Sequence, residues 1–329
     1  MGDPTQPNET RTASAGPVVE TRALTKRYGS VTALDGVDLS VPHGATGLLG
    51  ANGAGKTTLI RLLLGLAQPT SGSAAVLGHD SSREGVAVRA RVGYMPESDA
   101  LPSAVTAADF VAHMGEMSGL PARAARQRAN DVLYQVGLDE ERYRLVGGFS
   151  TGMKQRVKLA QAIVHDPALV FLDEPTNGMD PRGRDEMLEL IRRIDRQMGI
   201  AVVLSSHILD DIERVCEQVV ILDRGRLVAA QPIGEGLADG HDIVVRVDGD
   251  RAAFVARLAA LGRNARPTGS ERASDEVVVA GDDPAAYDAI RDAAADLGCA
   301  IRALSAQTRS LEDVYFGSIA GPADRESRA

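Results

Sequence analysis

The run Gly50-Ala-Asn-Gly-Ala-Gly-Lys56-Thr57 constrains this chain more than any other feature. It fits G-x-x-x-x-G-K-[ST] and lies between a short strand pattern around Thr46–Leu49 and a stretch, Thr57–Leu66, with a helical apolar face. Glycines let successive backbone N–H groups turn inward around a phosphate, where side chains would collide. The helix beginning near Lys56 adds its positive N-terminal end. Lys56 can reach the β- and γ-phosphates, and the Thr57 hydroxyl can ligate Mg²⁺, which prefers octahedral oxygen coordination. The candidate nucleotide-binding residues are Gly50, Asn52, Gly53, Ala54, Gly55, Lys56, Thr57 and Thr58. The bland alternative is a glycine-rich turn before a helix, and the companion motifs argue against it.

The first companion is Leu169-Val-Phe-Leu172-Asp173-Glu174-Pro175, an apolar strand ending in two carboxylates. In a parallel sheet, ligands gather at the C-terminal edge of the strands. That places Asp173 beside the metal of the phosphate loop and points Glu174 at the nucleotide as a general base. Alone, such a strand followed by Asp-Glu-Pro reads as a solvated turn.

Strands over 168–172, 200–205 and 219–223 alternate with helices over 183–198 and 208–217, which implies a largely parallel sheet. Further strands are expected at Val18–Leu24, Leu34–Val41 and 92–96. Residues 105–136 read as helical with a break near Gly119-Leu120-Pro121, and a helix runs from Gly152 to about His165, stopped by Pro167. A composition shift near Gln231–Gly240 introduces a small α+β unit, ferredoxin-like in pattern: strand 242–247, helix 250–261, strand 276–280, helix 284–297, strand 299–305 and helix 310–319. Residues 1–17 and 321–329 read as disordered tails.

The formal charge is −9, with no basic footprint for nucleic acid. No apolar run approaches the ~18 residues of a membrane helix. Two distant cysteines, Cys216 and Cys299, make neither a disulfide framework nor a metal spacing, which favours a reducing compartment. Four lysines occur, Lys26, Lys56, Lys154 and Lys158; the last two, one turn apart, read as a basic solvated face.

Phe149-Ser-Thr-Gly-Met-Lys-Gln-Arg156 resembles the signature of ABC-type ATPases, usually Leu-Ser-Gly-Gly-Gln. Ser150 and Gly152 match it, while Thr151 and Met153 depart. The Gly-Met-Lys-Gln-Arg variant resembles the branch of exporter ATP-binding subunits whose permease is a separate type-2 membrane protein, a branch that includes drug- and antibiotic-export subunits and some with other cargo. Tyr28 matches the family's adenine-stacking aromatic, Asn177-Gly-Met-Asp180 its D-loop, and Ser205-Ser-His207 its switch histidine. The Q-loop position, normally Gln, holds Glu97 in Gly93-Tyr-Met-Pro-Glu97. Glu97 can accept from water and ligate Mg²⁺ but cannot donate as an amide does. It is expected to keep the metal and water contact and to link the site to the membrane partner. Ser310-Leu-Glu-Asp-Val-Tyr-Phe316 resembles the ending of the branch's accessory C-terminal domain.

The resemblance implies an α/β P-loop NTPase of ABC type, residues 18–230, comprising a parallel-sheet core, an antiparallel β subdomain and a helical subdomain about 98–165. An α+β domain follows over 231–320. It implies ATP hydrolysis with Mg²⁺ held by Thr57, Asp173 and Glu97, and catalysis by Glu174, His207 and Glu97. Tyr28, Ser150, Gly152 and Asp180 join the phosphate loop in binding nucleotide. Two copies stack head to tail, so that Ser150 of one starts a helix toward the γ-phosphate held by the other. The chain is then cytoplasmic and peripheral on the inner membrane face through its permease, which docks near Glu97 and residues 98–148. The rival readings are a soluble ABC-type regulator of a complex and a P-loop GTPase, although no Asn-Lys-x-Asp guanine-reading motif occurs.

Overall fold

A computed structural model describes residues 16–98, 101–233, 241–267 and 276–308. The chain divides into two compact units, Met1–Gln231 and Pro232–Ala329. The C-terminal tail, all but two residues of the N-terminal one, the helix expected over 310–319 and the run Ser310–Phe316 lie outside the described residues.

The first unit opens with a hairpin, β1 (Val19–Tyr28) and β2 (Val31–Val41), joined at Gly29-Ser30. With β4 (Ser71–Val76) and β5 (His79–Asp80) it forms an antiparallel sheet in the order β2-β1-β4-β5. Between these elements the chain builds β3 (Ala45–Leu49), buried along its whole length, and α1 (Lys56–Leu63). Next come α2 (Gly85–Arg91), β6 (Val92–Met95), α3 (Ala107–Met117) and α4 (Ala122–Gln135). The Gly119–Pro121 break separates α3 from α4, because proline lacks the N–H that would continue the helix.

α5 (Thr151–Ile163), β7 (Leu169–Asp173), α6 (Pro181–Met198), β8 (Ala201–Ser206), α7 (Leu209–Val215), β9 (Gln218–Asp223) and β10 (Arg226–Pro232) complete the unit. The main sheet has the order β10-β9-β3-β8-β7-β6, and β9, β3, β8, β7 and β6 run parallel. Val, Leu, Ile and Ala supply the larger part of these inner strands, as burial on both faces demands. α6 buries Met187, Leu188, Leu190, Ile191 and Ile194, one apolar stripe at helical spacing. Registers Leu49↔Ser206 and Asp173↔Ser205 bring the ends of β3, β7 and β8 to one edge.

The second unit has β11 (His241–Asp248), α8 (Arg251–Ala260), β12 (Ala265–Pro267), β13 (Glu276–Ala280), α9 (Pro284–Leu297) and β14 (Ala300–Thr308). Its sheet is antiparallel in the order β12-β13-β11-β14, the ferredoxin-like arrangement. Alternate residues Ile243, Val245 and Val247 face a core with Phe254, Leu258 and Ile290. The three-residue β12 is too short for a periodicity signal and was not expected.

Candidate active site

β3 delivers the chain into a phosphate loop that is tightly packed at its two ends. A Cβ on Gly50 would meet the Leu222 carbonyl oxygen at 2.6 Å, and one on Gly55 the Ala33 carbonyl oxygen at 2.7 Å. Gly55 sits at φ 107° and is the residue from which α1 departs, without a side-chain cap. Gly53, at φ 84°, has no protein atom within 4 Å of where a Cβ would stand, so among protein atoms only its backbone conformation calls for glycine. The Ala54 N–H is taken by the Ala51 carbonyl, and the Ala54 carbonyl accepts from Gly225 N–H. Ala54 is buried, Asn52 exposed and Thr58 half-buried. The first N–H groups of α1, at Lys56, Thr57 and Thr58, have no partner within their own helix.

The Lys56 ammonium folds back over the loop. It donates to the Gly50 carbonyl at 2.6 Å and lies 3.3 Å from Glu174 Oε1, both side chains being buried. The latter is an ion contact without hydrogen-bond geometry, and Glu174 Oε1 has no hydrogen-bond partner among the described residues. Glu174 Oε2 meets His207 Nδ1 at 2.8 Å. Glu174 is held at φ 51°, a left-handed conformation costing a non-glycine residue about 1–2 kcal/mol. Its N–H is fixed by the Ser205 carbonyl at 3.0 Å. β7 and β8 are neighbours, so the two strand ends set the Glu174–His207 pair. The Thr57 hydroxyl donates to Asp173 Oδ2 at 2.9 Å, while Asp173 Oδ1 is buried and unpartnered among the described residues.

Glu97 follows β6 on the same edge and is exposed. Its Oε1 accepts from Asn177 Nδ2 at 3.4 Å. Tyr94 lies in β6, and burial pushes its phenol up to about 12, the negative charges of Asp173 and Glu97 adding to the shift.

A second group of expected residues lies at the starts of α5 and α6. Ser150 caps α5, its Oγ accepting from Met153 N–H at 3.3 Å, and Asp180 caps α6, accepting from Gly183 N–H at 2.7 Å. Asp180 is thus a helix cap, with Pro181 at the first helical position. A cleft of about 680 Å³ opens between them, lined by Ser150, Gly152, Met153, Gly178, Asp180 and Gly183. The phosphate-loop residues line none of it. Tyr28 stands apart again, at the end of β1, half-exposed, with the Lys26 ammonium 4.8 Å from its ring centroid.

A family model described as ABC transporter matches residues 34–177. The daunorubicin/doxorubicin resistance ATP-binding protein of Streptomyces peucetius is 33% identical over 322 residues, 94% of each chain. The chain belongs to the ABC transporter ATP-binding proteins. The bacitracin transport ATP-binding protein of Bacillus licheniformis is 40% identical over 65% of this chain and 70% of its own length. Among solved structures, CbiO1 of Clostridium perfringens, part of an ABC transporter complex, shares 27% identity with a TM-score of 0.62. It covers 67% of this chain and 90% of its own. This ABC ATPase therefore binds and hydrolyses ATP as the nucleotide-binding subunit of a transporter.

Two features of this ABC ATPase correct or extend the reading of its sequence. Lys158 does not belong to a solvated face. It is 1% exposed, and its ammonium donates to the Glu97 carbonyl at 2.9 Å. Along α5 it shares a face with the buried Gln155 and Ala162, a placement that its charge disguises in the sequence. The residues missed altogether are Gln155, which donates to the Asn177 carbonyl at 3.1 Å, and the fully buried Asp211. Asp211 accepts from the Thr176 hydroxyl at 2.6 Å and from Arg184 Nε at 2.5 Å. It ties the loop after Glu174 to the helix after His207. An Asp that follows another, Asp210, in the first turn of a short helix gives no sequence sign of such burial.

Proposed function

We propose that this chain is the ATP-driven subunit of an exporter of antibiotic-like compounds, working as a pair of copies beneath a separate type-2 permease. The observation that carries this reading is the 94% mutual coverage with the daunorubicin/doxorubicin resistance ATP-binding protein. The similarity runs through both units, not the ATPase unit alone. No helix among the described residues is long and apolar enough to cross a membrane, so a membrane path is assigned to another polypeptide. The chain then sits at the inner face of the membrane through that partner.

In this reading the loop Gly50–Thr58 cradles the phosphates, Lys56 neutralises them, and Tyr28 stacks on the base. Glu174 takes the proton of the attacking water, oriented by His207 across their 2.8 Å contact. A positioned base contributes about 10²–10⁴-fold in rate. The helix start at Ser150 and Gly152 supplies donors to the nucleotide of the second copy, and Asp180 orders the face between the copies. The buried, unpartnered Asp173 Oδ1 beside the Thr57 hydroxyl fits a hydrated divalent cation. Mg²⁺ is commonly held by one or two protein oxygens with phosphates and waters completing the octahedron. Thr57 and Asp173 would hold it, with Glu97 on the water side, and the ion would supply charge neutralisation at the phosphates.

The test is reconstitution. ATP turnover by the chain should rise severalfold when its co-purifying polytopic membrane partner is added in lipid vesicles, and vesicles should move an anthracycline or peptide antibiotic against its gradient. Turnover indifferent to any membrane partner would overturn the export reading while leaving ATP hydrolysis untouched.

A further inference from the structure

We propose that Lys158 is the positioning residue for Glu97, pinning the loop after β6 to the signature helix through its buried ammonium. The inference rests on the assignment of Glu97 to the hydrolytic site.

Lysine is among the residues least often fully buried, because its ammonium must give up water. Here Lys158 lies on α5 two turns beyond the Ser150 cap and heads the largest fully buried side chains of the described residues. A space-filling role at that position would be served by Met or Leu without the desolvation cost. What the ammonium adds is a donor at 2.9 Å to the Glu97 carbonyl, 61 residues away in sequence. A charge-assisted hydrogen bond of this kind is about twice as strong as a neutral one.

Gln155, three residues earlier and on the same face of α5, does the same for the neighbouring loop by donating to the Asn177 carbonyl. Asn177 closes the arrangement through its Nδ2 contact to Glu97 Oε1. One helix thus holds the backbones of two loops whose side chains meet each other. The same helix begins at Ser150, which lines the second cleft. Glu97 and the signature are therefore set to move as one body. Glu97 itself is exposed, so its orientation depends on the anchoring of its backbone rather than on packing.

The test compares K158M, E97A and the double variant, each as the full chain. ATP affinity, single-turnover hydrolysis and hydrogen exchange of the peptide spanning residues 92–98 are measured. K158M is expected to leave ATP affinity within about twofold, to slow hydrolysis by roughly ten- to a hundredfold through misplacement, and to speed exchange in 92–98. In the E97A background K158M should slow hydrolysis no further. Equal slowing in both backgrounds, wild-type hydrolysis in K158M with unchanged exchange, or loss of ATP affinity along with hydrolysis would each overturn the proposal. Wild-type hydrolysis in E97A would instead remove Glu97 from the site; the exchange measurement then decides alone whether Lys158 anchors the loop.

Discussion

Lys56 and Glu174 face each other across the floor of the site, ammonium to carboxylate, 3.3 Å apart and both buried. The cation assigned to the phosphates also meets the Gly50 carbonyl and the carboxylate assigned to activate water. In the proposed mechanism the lysine faces both anions, so phosphate binding and the charge on the base are coupled. Lys56→Ala should abolish measurable ATP binding by calorimetry. It should also destabilise the nucleotide-free protein by a few kcal/mol in urea unfolding, because breaking a buried pair strands the remaining charge. Unchanged nucleotide-free stability would mean that the contact is incidental.

Glu174→Gln keeps the shape and removes the base. Hydrolysis should fall about 10²–10⁴-fold, with ATP affinity kept and ATP-bound dimers accumulating in size-exclusion chromatography. His207→Ala should act in the same direction and add little to Glu174→Gln, because His207 touches the reaction through the Nδ1–Oε2 contact. Fully additive losses would separate the two roles.

The glycines of the loop should divide by cause. Gly50→Ala pushes a methyl into the Leu222 carbonyl at 2.6 Å and should cost both folding and ATP binding. Gly53→Ala meets no atom and incurs only the left-handed strain, about 1–2 kcal/mol. Its thermal midpoint should drop by a few degrees, with the loop still competent for nucleotide. Equal damage from both would refute the distinction.

Tyr94 predicts an alkaline limit. Its folded pKa, raised to about 12 from an ordinary 10, means that the native state holds the proton more tightly than the unfolded chain. The stability this contributes is complete below pH 10 and is lost as pH rises through about 12. Urea midpoints should decline across that window, and Tyr94→Phe should flatten the decline. An unchanged slope in Tyr94→Phe would assign it to other groups.

Much of the architecture is legible in the sequence because its signals are local. The inner strands announce themselves as short apolar runs, Pro167 and Gly119–Pro121 mark helix ends, and the phosphate loop is a contiguous pattern. The order of motifs also places Thr57, Asp173, Glu174 and His207 on one sheet edge, and the register of β3, β7 and β8 brings them there. What stays hidden is long-range and polar. Lys158 looks like surface until β6 delivers a carbonyl to it, and Asp211 looks like surface until Thr176 and Arg184 converge on it. Both depend on partners 27 to 61 residues away, and side-chain type alone points to the wrong environment.

The turn between β9 and β10 carries a mechanical consequence. Gly225 donates to the Ala54 carbonyl in the phosphate loop, and its own carbonyl accepts from Asp35 N–H in β2. Six residues further on, the chain leaves the first unit at Gln231. The turn that opens the exit strand is thus bonded directly to the nucleotide loop. The strand that leads out of the first unit therefore starts from a turn that the phosphate loop itself holds.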